Sequence, residues 1–306
     1  MRGIGFRSWK GLTGMSSLRE IKDRIGSVRS TLKITSAMKL VASAKLRRAQ
    51  EAVEGMRPYQ TTLSSILADV QASVPAVFGN AGAQTGSASG ADRVAIVAVA
   101  SNSSLCGAFN GNVLRKVNEL LAGLRCKADV YSIGRKIADP MRKAGLPNPD
   151  AADYNGFVAH PSYEDASSLA QALIDSYEKG VYSRVILVYN HFVSTSRQEV
   201  VTETYLPFAL PEGTAAAGDD LQEDKYIMEP SASDIVKTLL PQVMRLKIYT
   251  MLLDSIASEH AARTIAMQTA SDNAKDILDE LTLEYNKGRQ QQITSEILDI
   301  VGGSQQ

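Results

Sequence analysis

Apolar residues recur at heptad spacing toward both ends of the chain, whereas in the middle they form short uninterrupted runs. An alternating spacing of three and four residues places side chains on one face of an α-helix, which is typical of a coiled-coil seam. We therefore predict two long helices, one near each end of the chain, that face each other through this seam. The residues assigned to the shaft seam are Leu18, Ile21, Ile25, Val28, Leu32, Met267, Leu278, Leu281 and Tyr285.

The C-terminal helix is predicted to be long and to have a weak seam. Between Ser231 and Val301 the only proline is Pro241, and no glycine occurs before Gly288. At about 1.5 Å per residue, a continuous helix over this range is roughly 100 Å long. Ala, Ser and Thr fill much of its seam, so the pairing buries little apolar area. This combination indicates a shaft inside a larger assembly.

The N-terminal helix is predicted to begin at a Ser16 or Ser17 cap and to be interrupted at Arg57-Pro58. Residues 16–48 contain nine Lys or Arg against two acids, and residues 272–299 contain seven acids against three bases. These opposite charges favour antiparallel pairing of the two helices. The basic face is either solvated or in contact with an acidic partner, and the residues alone leave both possibilities open.

The middle of the chain reads as a small α/β domain. Continuous apolar runs at 93–100 and 184–189 are typical of buried parallel strands, with another strand at 128–133. Helical patterns at 112–124, 135–143 and 163–179 alternate with them, and 200–206 alternates like an antiparallel edge strand. The fold class is therefore α/β: a long antiparallel coiled coil of the N- and C-terminal helices with an inserted Rossmann-like α/β domain.

The predicted organisation has six parts, separated by composition. They are an N-terminal extension (1–15), an N-terminal shaft helix (16–78), a Gly/Ala/Ser-rich flexible linker (79–91), the α/β domain (92–210), an acidic linker (211–230) and the C-terminal shaft helix (231–306). The first 15 residues are basic and lack acids, so they are either a targeting remnant or the product of a misassigned start before Met15.

Composition excludes several classes of protein. The chain has 306 residues, and its 33 basic and 33 acidic residues cancel, which argues against a dedicated nucleic-acid binder. Two cysteines are too few for a disulfide framework and fit a reducing interior. No run of 18 apolar residues occurs, so no membrane span is predicted.

The residues show no catalytic, cofactor or metal site. The loop Ser101–Gly111 follows the first strand, where α/β folds bind nucleotides, but it matches neither phosphate-binding glycine motif. Cys106 could be a nucleophile at a helix start, although a small buried residue is the simpler interpretation. Of the three histidines, His260 falls on the seam and is interpreted as a packed or interface residue. We therefore expect no catalytic residue, no cofactor and no metal.

Four motifs together resemble one known family. Lys33–Lys45 (KITSAMKLVASAK) resembles the N-terminal signature of the γ subunit of F-type ATP synthase, and Ser104–Asn110 (SLCGAFN) is similar to its loop after the first strand. Ser258–Met267 (SEHAARTIAM) and Tyr285–Ile297 (YNKGRQQQITSEI) match its C-terminal signature. The resemblance extends from about Met15 to Gly303.

This resemblance implies a non-catalytic central shaft that rotates inside a ring of three α and three β subunits. The ε subunit and the membrane ring of c subunits are the other implied partners, and proton or sodium flow through the c-ring would be coupled to ATP turnover on β. The implied location is peripheral, on the cytoplasmic face of the bacterial inner membrane, with the matrix face of the mitochondrial inner membrane as the alternative. The residues that match family contacts to α and β are Met38, Lys39, Arg263, Gln290, Ile293, Thr294, Glu296 and Ile297.

Two other functions compete with the resemblance. A nucleotide-dependent enzyme would bind ATP or a dinucleotide through the α/β domain alone. A generic coiled-coil scaffold would dimerise through the seam instead of pairing its own two ends. The opposite charges of the two helices and the C-terminal motif argue against both.

Overall fold

The computed structural model describes residues 17–73, 93–208 and 231–303. The predicted N-terminal extension and both predicted linkers lie outside these residues. The elements in chain order are α1 (Leu18–Ser73), β1 (Arg93–Val99), α2 (Phe109–Gly123), β2 (Lys127–Ile133), α3 (Arg135–Lys143), α4 (Asn155–Ala159), α5 (Tyr163–Glu178), β3 (Arg184–Ser194), β4 (Arg197–Leu206) and α6 (Ala232–Gly303).

The four strands form one mixed sheet in the order β2-β1-β3-β4. Strand β1 pairs in parallel with both β2 and β3, while β4 pairs antiparallel with β3 at the edge. The predictions of buried parallel strands and of an antiparallel edge strand are thus confirmed. Every residue of β1 after Arg93 is buried, as expected for a strand covered on both faces.

Successive residues of β1 point to opposite faces of the sheet and enter two separate cores. Ala95, Val97 and Val99 pack in the core that α5 and α6 complete with residues such as Leu173 and Ile248. The alternate residues of β1 pack in the core covered by α2 and α3. The sheet is therefore doubly covered, and α6 supplies part of one covering layer.

Helix α1 continues through Pro58, so the predicted interruption at Arg57-Pro58 is wrong. A proline inside a helix removes one backbone hydrogen bond and costs about 3 kcal/mol. Pro58 is exposed, and the turns after it bury Leu63 and Leu67 against Val243 and Leu246 of α6. Burial of these apolar side chains offsets the local cost, because each is worth about 1.5–3 kcal/mol. Helix α6 likewise continues through Pro241.

The chain divides into two compact units. The first comprises residues 1–39 and 267–306, and its described part is a pair of antiparallel helical segments from α1 and α6. Ile21, Ile25 and Leu281 form its buried cluster. The Ser271 hydroxyl donates a hydrogen bond of 2.8 Å to the Thr35 hydroxyl, both buried. The second unit, residues 40–266, holds the α/β domain together with the remaining parts of α1 and α6.

Gly288 marks a close approach of the two helical segments in the first unit. A Cβ placed on Gly288 would lie 2.9 Å from Cδ2 of Leu18, which is closer than real side chains come. Glycine is therefore the residue that lets Leu18 pack against this turn of α6. At the start of α1, the Glu20 N–H donates to the Ser17 hydroxyl over 3.3 Å, so Ser17 caps the helix.

Two predicted strand boundaries differ from the structure, and one short helix was not predicted. Strand β3 extends to Ser194, and β4 already begins at Arg197, so the two strands form a tight hairpin. Continuous apolar patterning ends at Tyr189, and the remainder of β3 mixes polar and apolar residues of varied exposure, so it gave no strand signal. The short helix α4 was not predicted, because five residues are too few to show a helical period.

Among the described residues, no helix is long and apolar enough to cross a membrane.

Candidate interaction site

The shaft-seam residues lie in the first unit and share its interior. Ile21, Ile25 and Leu281 are buried, and Val28, Leu278 and Tyr285 are partly buried against them. Met267 is buried as well, at 4% exposure, while Leu18 and Leu32 are half-buried. Near the middle of this unit the seam becomes polar, where Thr35 and Ser271 meet.

Met38 and Lys39 lie one turn beyond Thr35 on α1 and are both half-buried. The neighbouring residues Ile34 and Leu40 are more open, with 58% and 70% of their surface exposed. The pKa of the Asp272 carboxyl on α6 is held below its usual range, first by a hydrogen bond from Gln268 and then by Lys275 and Lys39. Lys39 is therefore close enough to act on an acidic group of its own chain.

Five predicted contact residues near the C-terminal end of α6 are all exposed, namely Gln290, Ile293, Thr294, Glu296 and Ile297. We call residues Arg289–Val301 of α6 the terminal segment, and each of its side chains is exposed. Ile293, Ile297 and Val301 expose 47%, 55% and 53% of their surface. Gln290, Thr294 and Glu296 form hydrogen bonds within the helix, from the Thr294 hydroxyl to the Gln290 carbonyl (2.9 Å) and from Gln292 to Glu296 (3.1 Å). Exposed apolar side chains on one helix face are consistent with the predicted contact to another protein, which stays a prediction.

Arg263 does not belong to the exposed contact surface. Its side chain is 10% exposed and lies 2.7 Å from the Glu259 carboxylate, whose side chain is 8% exposed. The guanidinium also donates to the Ser103 hydroxyl over 2.8 Å and to the Ser104 carbonyl. Arg263 was predicted to contact the α and β subunits, but its guanidinium donates these hydrogen bonds to residues of its own chain.

The loop after β1 is held closed by its own side chains. The Ser101 N–H donates to Oδ1 of Asn110 over 2.9 Å, and Nδ2 of Asn110 donates to the Cys106 sulfur over 3.1 Å. Cys106 is 1% exposed, so its thiol is shielded from solvent. Leu105 and Gly107 have positive φ angles of 68° and 60°, so the loop turns sharply on both sides of Cys106. This arrangement leaves Cys106 as a small buried residue.

The three histidines lie in different environments. His160 is exposed at the end of α4, and His191 lies in β3 with Nδ1 2.6 Å from the Asp254 carboxylate. His260 is half-buried on α6, and its buried Nδ1 has no hydrogen-bond partner among the residues that the structure describes. Burial, reinforced by the nearby positive charges of Lys45 and Arg263, lowers the pKa of His260 to about 4. His260 is therefore neutral at physiological pH, as its packed position requires.

A cleft of about 360 Å³ lies between α1, β3 and α6 within the second unit. Glu54 and Asp254 line it together with Arg57 and Lys247, so it does not concentrate one sign of charge. Asp254 also accepts a hydrogen bond of 2.9 Å from the Phe192 N–H, and Lys247 pairs with Glu203 over 2.8 Å. Within residues 17–73, 93–208 and 231–303, no three His, Cys, Asp or Glu side chains come together as a metal site would need.

The sequence did not reveal the polar contacts that join α6 to the sheet. Glu259 and Arg263 have the spacing of an i,i+4 helix pair, which could have indicated their ion pair. Nothing in the sequence pointed to Ser103, because it is 160 residues from Arg263 along the chain. Asp254 and Lys247 look like ordinary polar residues of an amphipathic helix, and only the structure shows their strand partners.

Comparison with known proteins gives consistent matches over nearly the whole chain. The family profile described as ATP synthase matches residues 17–305. The ATP synthase γ chain of Phocaeicola vulgatus is 45% identical over 304 residues, covering 95% of this chain and 99% of that protein. The γ chain of Bacteroides fragilis is 46% identical over 302 residues, with the same coverage of both chains.

Solved structures share the fold at low sequence identity. A chain in the cryo-EM structure of the Euglena gracilis mitochondrial ATP synthase, in rotational state 3, has a TM-score of 0.62 and 19% identity. That match covers 94% of this chain and 93% of the other. A chain of the Tetrahymena thermophila mitochondrial ATP synthase central stalk and c-ring has a TM-score of 0.55 and 23% identity, covering 78% and 99%.

Proposed function

This chain belongs to the family of ATP synthase γ chains, and from that premise we propose that it rotates as the central stalk inside a ring of three α and three β subunits. Its rotation couples proton or sodium flow through a c-ring to ATP synthesis or hydrolysis at sites on β. The chain itself is non-catalytic. It also binds an ε subunit, and it is peripheral, on the cytoplasmic face of the bacterial inner membrane.

The exposure of the terminal segment carries this proposal. From Arg289 to Val301 every side chain is exposed, including Ile293, Ile297 and Val301. Exposed apolar residues on a helix cost solubility unless another protein covers them, and a ring of α and β subunits provides such a cover. Ile293 and Ile297 contact an apolar sleeve of the ring, and Gln290, Thr294 and Glu296 contact polar loops of α and β.

Met38 and Lys39 form the second contact surface. Ile34 and Leu40 beside them are exposed, and this part of α1 is rich in positive charge. An acidic loop on a moving part of β complements that charge. Arg263 has no place in this surface, because its guanidinium is already bound to Glu259, Ser103 and Ser104.

The mechanism follows from differential contact. A shaft that presents different side chains in different directions stabilises a different set of β conformations at each angle of rotation. Turning the shaft therefore shifts the equilibria among open and closed β sites, and nucleotide binding on β reciprocally biases the shaft angle. No nucleotide needs to bind this chain, which agrees with the closed loop around the buried Cys106.

The test is reconstitution of this chain with α and β subunits. We expect the full chain to yield a complex that hydrolyses ATP, and the chain alone to hydrolyse none. A chain truncated after Gly288 lacks the terminal segment and should support much slower turnover. A chain truncated after Val301 is the matched control and should retain activity. If the isolated chain hydrolyses ATP, or if it never joins the ring, the proposal is wrong.

A further inference from the structure

The Arg263 guanidinium connects α6 to the loop that follows β1. One terminal nitrogen donates to the Ser104 carbonyl, and the other donates to the Ser103 hydroxyl over 2.8 Å and to the Glu259 carboxylate over 2.7 Å. The planar guanidinium can make these bonds together because its donors have a fixed geometry. A single side chain therefore binds one helix and one loop of the α/β domain.

The loop side of this contact is well ordered by its own bonds. The Ser101 N–H donates to Oδ1 of Asn110, Nδ2 of Asn110 donates to the Ser101 hydroxyl over 2.8 Å, and that hydroxyl donates to the Ser103 carbonyl over 2.6 Å. Lys136 N–H, at the start of α3, donates to the Ser101 carbonyl over 3.0 Å. The position of Ser103 and Ser104 is thus linked to the strand end and to the next helix, so a force on α6 reaches the sheet through them.

Several polar contacts join α6 to the α/β domain, including those from Arg245 to Gln171 and from the Tyr205 hydroxyl to the Met244 carbonyl. Three of the described contacts involve an ion pair, and the pair at Arg263 is the most buried of the three. Lys247 pairs with Glu203 of β4, where both side chains are about one-third exposed, at 30% and 34%. Asp254 pairs with His191 of β3, whose side chain is 50% exposed. Exposed ion pairs contribute little stability, whereas a buried, fully bonded pair fixes a specific geometry. Glu259–Arg263 is therefore the buried ion pair through which α6 contacts the loop directly.

We propose that Glu259 and Arg263 form a buried lock that fixes the loop 101–108 to α6 and transmits torque between the α/β domain and this helix. Arg263 is a positioning residue, since it touches no nucleotide and acts through the loop. The fixing of the loop follows from the geometry of this chain alone, while the torque part rests on the proposed function. Without the lock, α6 turns relative to the loop under load and part of each rotation is lost.

Two variants distinguish the hydrogen bonds from Arg263 to the loop from simple neutralisation of the Glu259 charge. Arg263→Lys keeps a positive charge beside Glu259, but one ammonium group cannot hold Ser103 and Ser104 together. The double variant Glu259→Leu with Arg263→Met removes both charges and leaves apolar side chains in the buried site, so the chain is expected to fold. The matched control is Arg115→Met with Glu119→Leu, an exposed i,i+4 pair on α2 in the same unit.

The first measurement is amide hydrogen exchange of the loop 101–108 in the full chain. Loss of two hydrogen bonds to a charged group should speed exchange at least about tenfold in the double variant and less in Arg263→Lys, with no change in the control. If loop exchange in the double variant equals that of the wild type, the lock does not hold the loop and the proposal fails. Global stability is followed by circular dichroism, so that a local effect is distinguished from unfolding.

The second measurement uses the complete membrane-bound complex assembled with each variant. We expect ATP hydrolysis to remain near the wild-type rate while ATP-driven ion pumping per ATP falls severalfold, with Arg263→Lys between the wild type and the double variant. Faster loop exchange with an unchanged pumping ratio would overturn the torque part. If the wild-type chain supports no pumping, the proposed rotor function fails instead, and the exchange measurement still decides whether the lock exists.

Discussion

Two stretches of α6 have opposite relations to their surroundings. From Val243 to Arg263, which we call the junction segment, no side chain is exposed, whereas in the terminal segment every side chain is. Isoleucine illustrates the contrast, because Ile248 is 0% exposed and Ile300 is 72% exposed. Residue type alone therefore does not decide burial on this helix. The junction segment is covered by its own chain, whereas the terminal segment is exposed, and under the proposed function the ring of α and β subunits covers it.

The comparison also inverts the role of polar residues. In the junction segment, Glu259 and Arg263 are buried and connect elements of one chain, so their loss affects stability. In the terminal segment, Thr294 and Glu296 form hydrogen bonds within the helix, so under the proposed function we expect their loss to affect binding. Polar side chains of the junction segment thus bind residues of the same chain, whereas under the proposed function those of the terminal segment bind another subunit.

The largest effect is expected when the buried ion pair is broken on one side. Arg263→Ala leaves the Glu259 carboxylate buried without its partner and should lower the free energy of unfolding by about 3–5 kcal/mol. Arg289→Ala in the terminal segment is the matched control and should change it by less than about 0.5 kcal/mol. Urea unfolding of both variants measures the difference. Equal effects would remove the distinction between the two segments.

Removal of a buried apolar side chain should have the next largest effect. Ile248→Ala leaves a cavity in the core between the sheet and α6, at a cost of about 2–5 kcal/mol. The same change at Ile300 removes an exposed side chain and should be nearly neutral. Thermal unfolding followed by circular dichroism compares the two. A destabilising Ile300→Ala would mean that the terminal segment is packed within the isolated chain.

The pH dependence of stability should report His260 in the junction segment. Its pKa is lowered to about 4, first by burial and then by Lys45 and Arg263, so the unfolded chain takes up a proton more readily than the folded chain. Stability due to neutral His260 is therefore complete above the unfolded pKa near 6.5 and is lost as the pH falls toward 4, by up to about 3 kcal/mol.

The variant His260→Gln isolates this contribution. Burial raises the pKa of Glu259, which favours the folded state as the pH falls and opposes the effect of His260. The difference in unfolding free energy between the wild type and His260→Gln removes the contribution that both chains share. It should decrease steadily between pH 6.5 and 4. A difference that stays constant across this window would contradict a buried neutral histidine.

The smallest effect on stability should accompany a large effect on function. Changing both Ile293 and Ile297 to Ser alters exposed side chains and should change the free energy of unfolding by less than about 0.5 kcal/mol each. In a complex reconstituted with α and β, the same variant should hydrolyse ATP more slowly because the apolar contact to the ring is lost. The control is Ser295→Ala, an exposed position in the same segment. Wild-type turnover in the double variant would remove these residues from the ring contact.

Most helices and strands were predictable from the sequence because a buried face makes apolar residues recur at a regular spacing along the chain. The apolar run at β1 and the helical pattern at α3 gave the correct elements, as both are either fully buried or clearly amphipathic. The second half of β3 was missed because its polar and apolar residues do not form a continuous apolar run. Pro58 was misjudged because a local rule cannot include the burial of Leu63 and Leu67 on the following turns.

The sequence by itself determined the two long helices, the inserted α/β domain and the family, because heptad spacing, apolar runs and contiguous motifs are local properties of the chain. Only the tertiary structure decided which polar residues of α6 are used internally. Arg263 lies in a family motif, which the sequence shows. Its hydrogen-bond partners Ser103 and Ser104 are 160 and 159 residues away, so only the tertiary structure shows where the side chain points. The partners of a helix side chain depend on which element packs against that face of the helix, and the tertiary fold determines that element.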